Sequence, residues 1–195
     1  MWTVTLAAML GVLTWTLLEY AIHRWLGHDT RLRPNPFATE HVRHHSQGDY
    51  FAPTHKKALV TVGALALVAP IAINVAGRVH GLAYAFGLIG FYVAYEVLHR
   101  REHTSAGFGP YGRWARRHHF WHHFGDPSKN HGVTSPIWDH VFGTYETPAL
   151  IVVPERLAMP WLRDAETGDV RAEHAPFYAL RRLKQPRVQG IGAGV

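Results

Sequence analysis

Three stretches of this chain carry no charged residue: Trp2 to Leu18, Ala58 to Gly77 and Gly81 to Tyr95. With Glu19 to Ile22 added to the first and Glu96 to Leu98 to the third, each approaches the ~20 residues of helix that cross a bilayer. All three read as membrane spans. Pro70 and Asn74 lie inside the second, where a proline is tolerated if neighbours satisfy the freed carbonyl. The short polar break Arg78-Val79-His80 makes Ala58–Leu98 a helical hairpin that leaves and returns on one side. The start, Met1-Trp2-Thr3-Val4-Thr5, has no basic residue and no small-residue cleavage site before Glu19, so it reads as a span and not as a cleaved signal peptide.

Three spans put residues 23–57 and 99–195 on one face. Of the 20 Lys and Arg, only Arg78 falls elsewhere. The positive-inside rule makes that face cytoplasmic and puts the N-terminus outside. The formal charge of +6 then reads as a membrane-surface signature, with no nucleic acid implied. The expected fold is all-α: an integral membrane helical bundle of about three spans plus interfacial helices. Residues 1–147 form its membrane-embedded domain. Residues 148–195 form an interfacial, basic, partly flexible C-terminal segment. Within it Pro148 to Leu162, apolar but broken by prolines, reads as a strip lying on the membrane or covering the site, and Gly190 to Val195 as a loose tail.

The chain has 16 histidines and no cysteine. Disulfides, thiolate metal sites and cysteine nucleophiles are excluded, whereas an imidazole-ligated metal is not. Four clusters of them lie next to the span ends, all on the predicted cytoplasmic face, with His80 on the opposite face. A helix turns ~100° per residue, so residues three or four apart share a face. His99 and His103 are four apart and can reach one metal. His41, His44 and His45 share a stripe, and His119, His122 and His123 repeat that pattern. His23 and His28, five apart, need a helix end, a wide turn or two different metals. These ten histidines exceed what one ion can use, which points to two nearby metals. Imidazole suits iron, zinc, copper and nickel. Glu19, four before His23, and Glu96, three before His99, stand where a carboxylate can orient a ligand ring, ligate the metal itself or pair with Arg24 or Arg100. His118, His131 and His140 are candidates for a pocket or supporting role. His55, His80 and His174 read as surface residues.

The order His23…His28, His41…His44-His45, His99…His103, His119…His122-His123 resembles the four histidine boxes of the fatty acid hydroxylase / sterol desaturase superfamily. Glu19-Tyr20-Ala21-Ile22-His23-Arg24-Trp25-Leu26-Gly27-His28 is similar to the first-box region of its fatty acid 2-hydroxylase branch. Gly132-Val133-Thr134-Ser135 through Trp138-Asp139-His140-Val141-Phe142-Gly143-Thr144 is similar to the segment after the last box. The likeness covers roughly residues 15–146.

That resemblance implies an integral-membrane, non-heme di-iron oxygenase, with zinc able to substitute in purified protein. It implies dioxygen and two electrons spent on an unactivated C–H bond of a lipid, a fatty acyl chain first and a sterol second. The box histidines would be the metal ligands, with Glu19, Glu96, Asp139 and His131 as supporting residues. No heme or flavin is expected, and no NAD, because Gly190-Ile191-Gly192-Ala193-Gly194 lacks strand–helix context and the required spacing. The chain leaves no room for a fused electron-donor domain, so electrons are expected from a separate ferredoxin or cytochrome with its reductase. A carotenoid ring hydroxylase and a lipid desaturase share such a site. A non-catalytic heme or metal carrier is the reading from another class, although a bis-histidine heme needs only two ligands.

Overall fold

The computed structural model describes residues 2–107 and 109–182. Helix α1, Trp2–Ala21, continues without a break into a π-helix, Ile22–His28. Helix α2, Pro36–Gln47, starts on an Asn35 cap whose side chain accepts the Ala38 N–H at 2.8 Å. Pro36 in its first turn has no N–H to leave unpaired, and Gly48 ends it at φ 73°, a conformation that suits glycine. Helix α3 runs over Thr54–Thr104 and α4 over Gly109–Phe124. A short α5, Ile137–Val141, follows.

The long α3 is two limbs. Gly77 interrupts it with φ 77° and ψ 165°, backbone angles open only to a residue without Cβ. The chain folds back there. Lys57 forms an ion pair with Glu96 across the limbs, and Gly81 lies against the backbone of Ala72 and Ile73. The expected hairpin therefore forms, but its turn is Gly77, and Arg78 to His80 already belong to the returning helix. Inside the outgoing limb Pro70 is kept, and the Asn74 side chain donates to the Pro70 carbonyl at 2.9 Å.

Helix α1 packs on the returning limb through glycines. A Cβ on Gly11 would overlap the backbone of Tyr84 and Leu88, and one on Gly87 would overlap the Ala8 carbonyl. Small residues let two helices approach this closely, as at helix contacts in lipid. We expect Gly87→Ala to push the helices apart at a cost of about 1–3 kcal/mol, read as a lower melting temperature in detergent. Gly90→Ala is the control, since a Cβ there meets nothing within 4 Å. Thr3–His28 and Thr54–Thr104 are each long and apolar enough to cross a membrane. Their outer faces are bare of protein, with Val75 83% and Phe86 79% exposed.

The molecule is mostly helical but not all-α. Strands β1, Ile151–Pro154, and β2, Tyr178–Arg181, pair in parallel with Ile151 opposite Tyr178. Ile151-Val152-Val153 is a β-branched run closed in by Pro148 and Pro154, too short for a helix and suited to a strand. Ile151 and Val153 point inward and join Met159, Trp161, Leu162 and Tyr178 around Phe120 of α4. Pro148 to Leu162 thus packs against α4, the helix that carries the last histidine cluster. Gly190 to Val195 lie outside the described residues.

Candidate metal centre

The ten box histidines come together in two sets of five. His23, His28, His41, His45 and His122 form set A, and His44, His99, His103, His119 and His123 form set B. Within each set the available ring nitrogens all lie within 4.8 Å of one another. The sets adjoin, because the rings of His45 and His123 stack with centroids 4.0 Å apart.

Helix geometry explains the membership. A π-helix closes its hydrogen bonds over five residues, so His23 and His28 return to one face. Of the helix end, the wide turn and the two separate metals that a five-residue spacing allows, the structure has the wide turn. In α2 the i and i+4 partners, His41 and His45, go to set A while His44 turns to set B. In α4 His119 and His123 go to set B while His122 turns to set A. Consecutive residues differ by ~100° around a helix, enough for neighbours such as His44 and His45 to face two centres. The single stripes expected on α2 and α4 are therefore split. Each set holds one pair from a span end, one i, i+4 pair and one residue from the opposite box.

The ring nitrogens converge closely. Nε2 of His28 lies 2.8 Å from that of His41 and 2.9 Å from that of His122. In set B, His99 Nε2 is 3.0 Å from His44 Nε2 and 3.1 Å from His119 Nε2, and His103 Nε2 is 3.1 Å from His119 Nε2. Three rings have their outer nitrogen fixed by a main-chain carbonyl. His44 Nδ1–H donates to Tyr50 O and His122 Nδ1–H to Lys129 O, each at 2.7 Å, and His23 Nδ1–H donates to His131 O. With the proton on Nδ1, the neutral ring presents a bare lone pair at Nε2. His28 Nε2 and His99 Nε2 each approach two ring nitrogens, and one ring proton can point at only one of them, so a shared cation suits the cluster better than ring-to-ring hydrogen bonds. Nitrogens that share one ion at ~2.1 Å each must lie about 3 Å from one another, close to the spacing here. Nε2 of His23, His45 and His123 is buried with no hydrogen-bond partner among the described residues. The donor set fits a metal.

Burial keeps these rings neutral. It lowers His44 from 6.5 to about 4, and with the neighbouring His28 and His44 it lowers His45 to about 2. His41, His119, His122 and His123 lie well below 6.5 for the same reason. Between the lowered and the ordinary value the unfolded chain binds more protons than the folded one, so stability rises with pH there. Stability is therefore complete above 6.5 and is lost as pH falls toward 4. The melting temperature in detergent should drop from about pH 7 to about pH 5, and bound metal should leave over the same window. A flat profile would mean that the rings are not held neutral.

Carboxylates support the centre differently from the sequence expectation. Glu19 does not meet His23. It accepts the N–H groups of Val133 and Thr134 and the Thr134 hydroxyl, the latter at 2.7 Å. Glu96 does not orient His99, because it pairs with Lys57. Asp139, fully buried, accepts the N–H groups of His131 at 2.8 Å and Gly132 at 2.9 Å, the Thr144 hydroxyl at 2.8 Å and His118 Nε2–H at 3.1 Å. Burial opposes the Asp139 charge, but these bonds hold its carboxyl below the ordinary range. Trp138 Nε1 adds a bond to Thr16 at 2.9 Å. Residues 131–144 are thus a strap tying α1 to α4, and the strap delivers the His131 carbonyl to His23.

His118 faces Asp139 and Trp114, away from both sets. His131 lies beside set A, its ring centroid 5.1 Å from that of His122. His140 is exposed and stacks on Tyr145. His55 is exposed and His80 bonds Thr3, but His174 is half-buried against Trp161, so it is no free surface residue. The carbonyls of Tyr50, Lys129 and His131 are the supports that sequence reasoning missed. Every residue has a carbonyl, so no letter marks them.

Three apolar limbs bearing paired histidine sets at one end define a class of helical protein with donor sets that could hold metal. The chain belongs to the fatty acid hydroxylase family, whose model matches residues 8–144. It is 34% identical over 154 residues to the ceramide very long chain fatty acid hydroxylase scs7 of Schizosaccharomyces pombe, covering 70% of this chain and 41% of that one. It is 32% identical to the dihydroceramide fatty acyl 2-hydroxylase FAH2 of Arabidopsis thaliana (69% and 58% covered) and 30% identical to the human fatty acid 2-hydroxylase (70% and 38% covered). The chain thus spans between 38% and 58% of the length of these relatives. A solved structure of full-length scs7p, in which only the hydroxylase domain is visible, superposes with a TM-score of 0.55 at 27% identity, covering 73% of this chain and 57% of that one.

Proposed function

We propose that this protein is a membrane-embedded di-iron oxygenase that hydroxylates an unactivated C–H bond of a lipid acyl chain, using dioxygen and two electrons from an external donor. The observation that carries the reading is the pair of adjoining five-histidine sets, with ring nitrogens converging at the ends of three apolar limbs. In this reading His23, His28, His41, His45 and His122 hold one ion, and His44, His99, His103, His119 and His123 hold the other. Bound iron supplies what side chains lack, a dioxygen-derived oxidant able to take hydrogen from an alkyl carbon.

The chain's own residues do the rest. Carbonyl-anchored imidazoles aim lone pairs at fixed points, so little reorganisation accompanies ligation. Burial keeps those rings unprotonated. The buried side chains of Phe120 and Trp161 help to exclude water from set B, which protects the oxidising equivalents. The three limbs are the membrane spans, with the N-terminus outside. The distribution of Lys and Arg, with Arg78 alone at the hairpin end, supports a cytoplasmic site. Residues 1–147 are the catalytic domain in this reading, and the electron donor is a ferredoxin or cytochrome with its reductase. The names of the matched relatives favour fatty acyl and ceramide-type lipids over carotenoids.

The test is elemental analysis of anaerobically purified protein, together with lipid extracts of expressing and non-expressing cells. The expected result is about two irons per chain and a new lipid heavier by one oxygen atom. A lipid lighter by two hydrogens would replace hydroxylation by desaturation. A heme Soret band, or protein that binds no metal, would overturn the reading.

A further inference from the structure

We propose that the C-terminal unit, residues 151–182, together with Arg116 of α4, is a selective clamp on set B, in which Trp161 and Arg116 are positioning residues for His103. The inference rests on the metal reading above; His103 and Arg116 lie inside the family match, whereas Trp161 and its unit lie beyond it, since the match ends at residue 144.

The geometry is that of a helix end. Helix α3 stops at Thr104, one residue after His103. The last carbonyls of a helix have no partner within it and must find donors elsewhere. Here they find two side chains. Trp161 Nε1–H donates to the His103 carbonyl at 2.9 Å. Arg116, fully buried, donates Nε–H to the Glu102 carbonyl at 3.0 Å, one Nη to Ala106 O at 2.6 Å and the other to Ser105 O. Four carbonyls around His103 are thereby held by two residues. A guanidinium at a helix C-terminus also opposes the helix dipole favourably.

The two residues support each other. The Arg116 guanidinium lies 4.1 Å from the Trp161 ring centroid. Trp161 stacks on Phe120, centroids 6.2 Å apart, and Phe120 contacts the His103 ring at 5.1 Å. Arg116 is one turn before His119, which shares set B with His103. The clamp therefore sets the distance between the two helices that supply four of the five set B rings. Set A hangs on other supports: His23 on the His131 carbonyl and His122 on the Lys129 carbonyl.

The functional consequence is that the two metal positions are inequivalent. Occupancy of set B depends on the C-terminal unit, and occupancy of set A does not. Trp161→Phe keeps an aromatic ring beside Phe120 but deletes the N–H together with part of the indole's volume. Arg116→Lys keeps the charge but loses the fork that reaches three carbonyls.

The experiment is an anaerobic titration of metal-free, full-length protein in detergent with iron(II) alone, reading bound iron per chain after equilibrium dialysis. Wild-type protein is expected to bind two ions. W161F and R116K are expected to keep one at unchanged affinity and to bind the other about tenfold more weakly. W161F combined with H28A, which disables set A, is expected to keep no tight ion, whereas H28A alone keeps one. Variants that bind two ions like the wild type would overturn the clamp and leave the metal reading standing. Equal weakening of both ions would also overturn it, since that is what a general packing defect produces. Wild-type protein that takes up no iron would remove the metal reading, and the clamp with it.

Discussion

His122→Ala should lose one metal ion and keep the other, and His99→Ala should do the same with the opposite ion. The two histidines lie in different sets, so each substitution breaks one five-ring set and leaves all five rings of the other in place. Turnover should nevertheless vanish in both, because in our reading the chemistry needs both ions. The loss should exceed the ~100-fold ceiling typical of losing a partner outside the ligand shell. Membrane insertion should be unchanged, since neither residue lies in an uncharged run. His44→Ala should resemble His99→Ala in metal content even though it is next to His45 in the chain, because it belongs to set B. The measurements are iron per chain and product formed. Wild-type turnover in all three variants would refute the ligand assignment. Loss of both ions from every single variant would show that the sets fill as one cooperative unit.

Asp139→Ala should destabilise the protein by about 3–5 kcal/mol, the range for removing one side of a buried charged network. Four donors converge on this carboxylate, and it is completely buried. Alanine leaves the His131 and Gly132 N–H groups buried and unpaired, and each carries its own desolvation penalty. Asp139→Asn should recover only part of the loss, because its NH2 group faces donors. The effect should reach set A, since the displaced strap carries the carbonyl that anchors His23. Chemical unfolding in detergent measures the first effect, and iron affinity the second. A loss below about 1 kcal/mol, the scale of an exposed ion pair, would mean that the strap is held elsewhere.

Much of the centre is legible in one dimension. The uncharged runs announce the apolar limbs, and the i, i+3, i+4 registers announce rings that can converge. The five-residue spacing of His23 and His28 left a helix end, a wide turn or two metals open, and the π-helix supplies the wide turn. Glu19 and Glu96 were misleading for one reason. Helical proximity to a histidine says who can be reached within the helix, while a carboxylate binds whichever donor arrives with the best geometry. For Glu19 that donor is a loop more than a hundred residues away, and for Glu96 it is Lys57 on the facing limb. The small sheet was hidden because Ile151-Val152-Val153 finds its partner strand beyond a long intervening loop.

The sequence by itself determined the apolar limbs, the side of the molecule on which the histidines gather and their number. These follow from hydration and from the fixed pitch of a helix, which are local. Only the tertiary structure decided which five rings share a centre, which carbonyls fix their tautomers and what braces His103. Those depend on helices meeting from opposite directions, and on backbone groups that are the same in every residue.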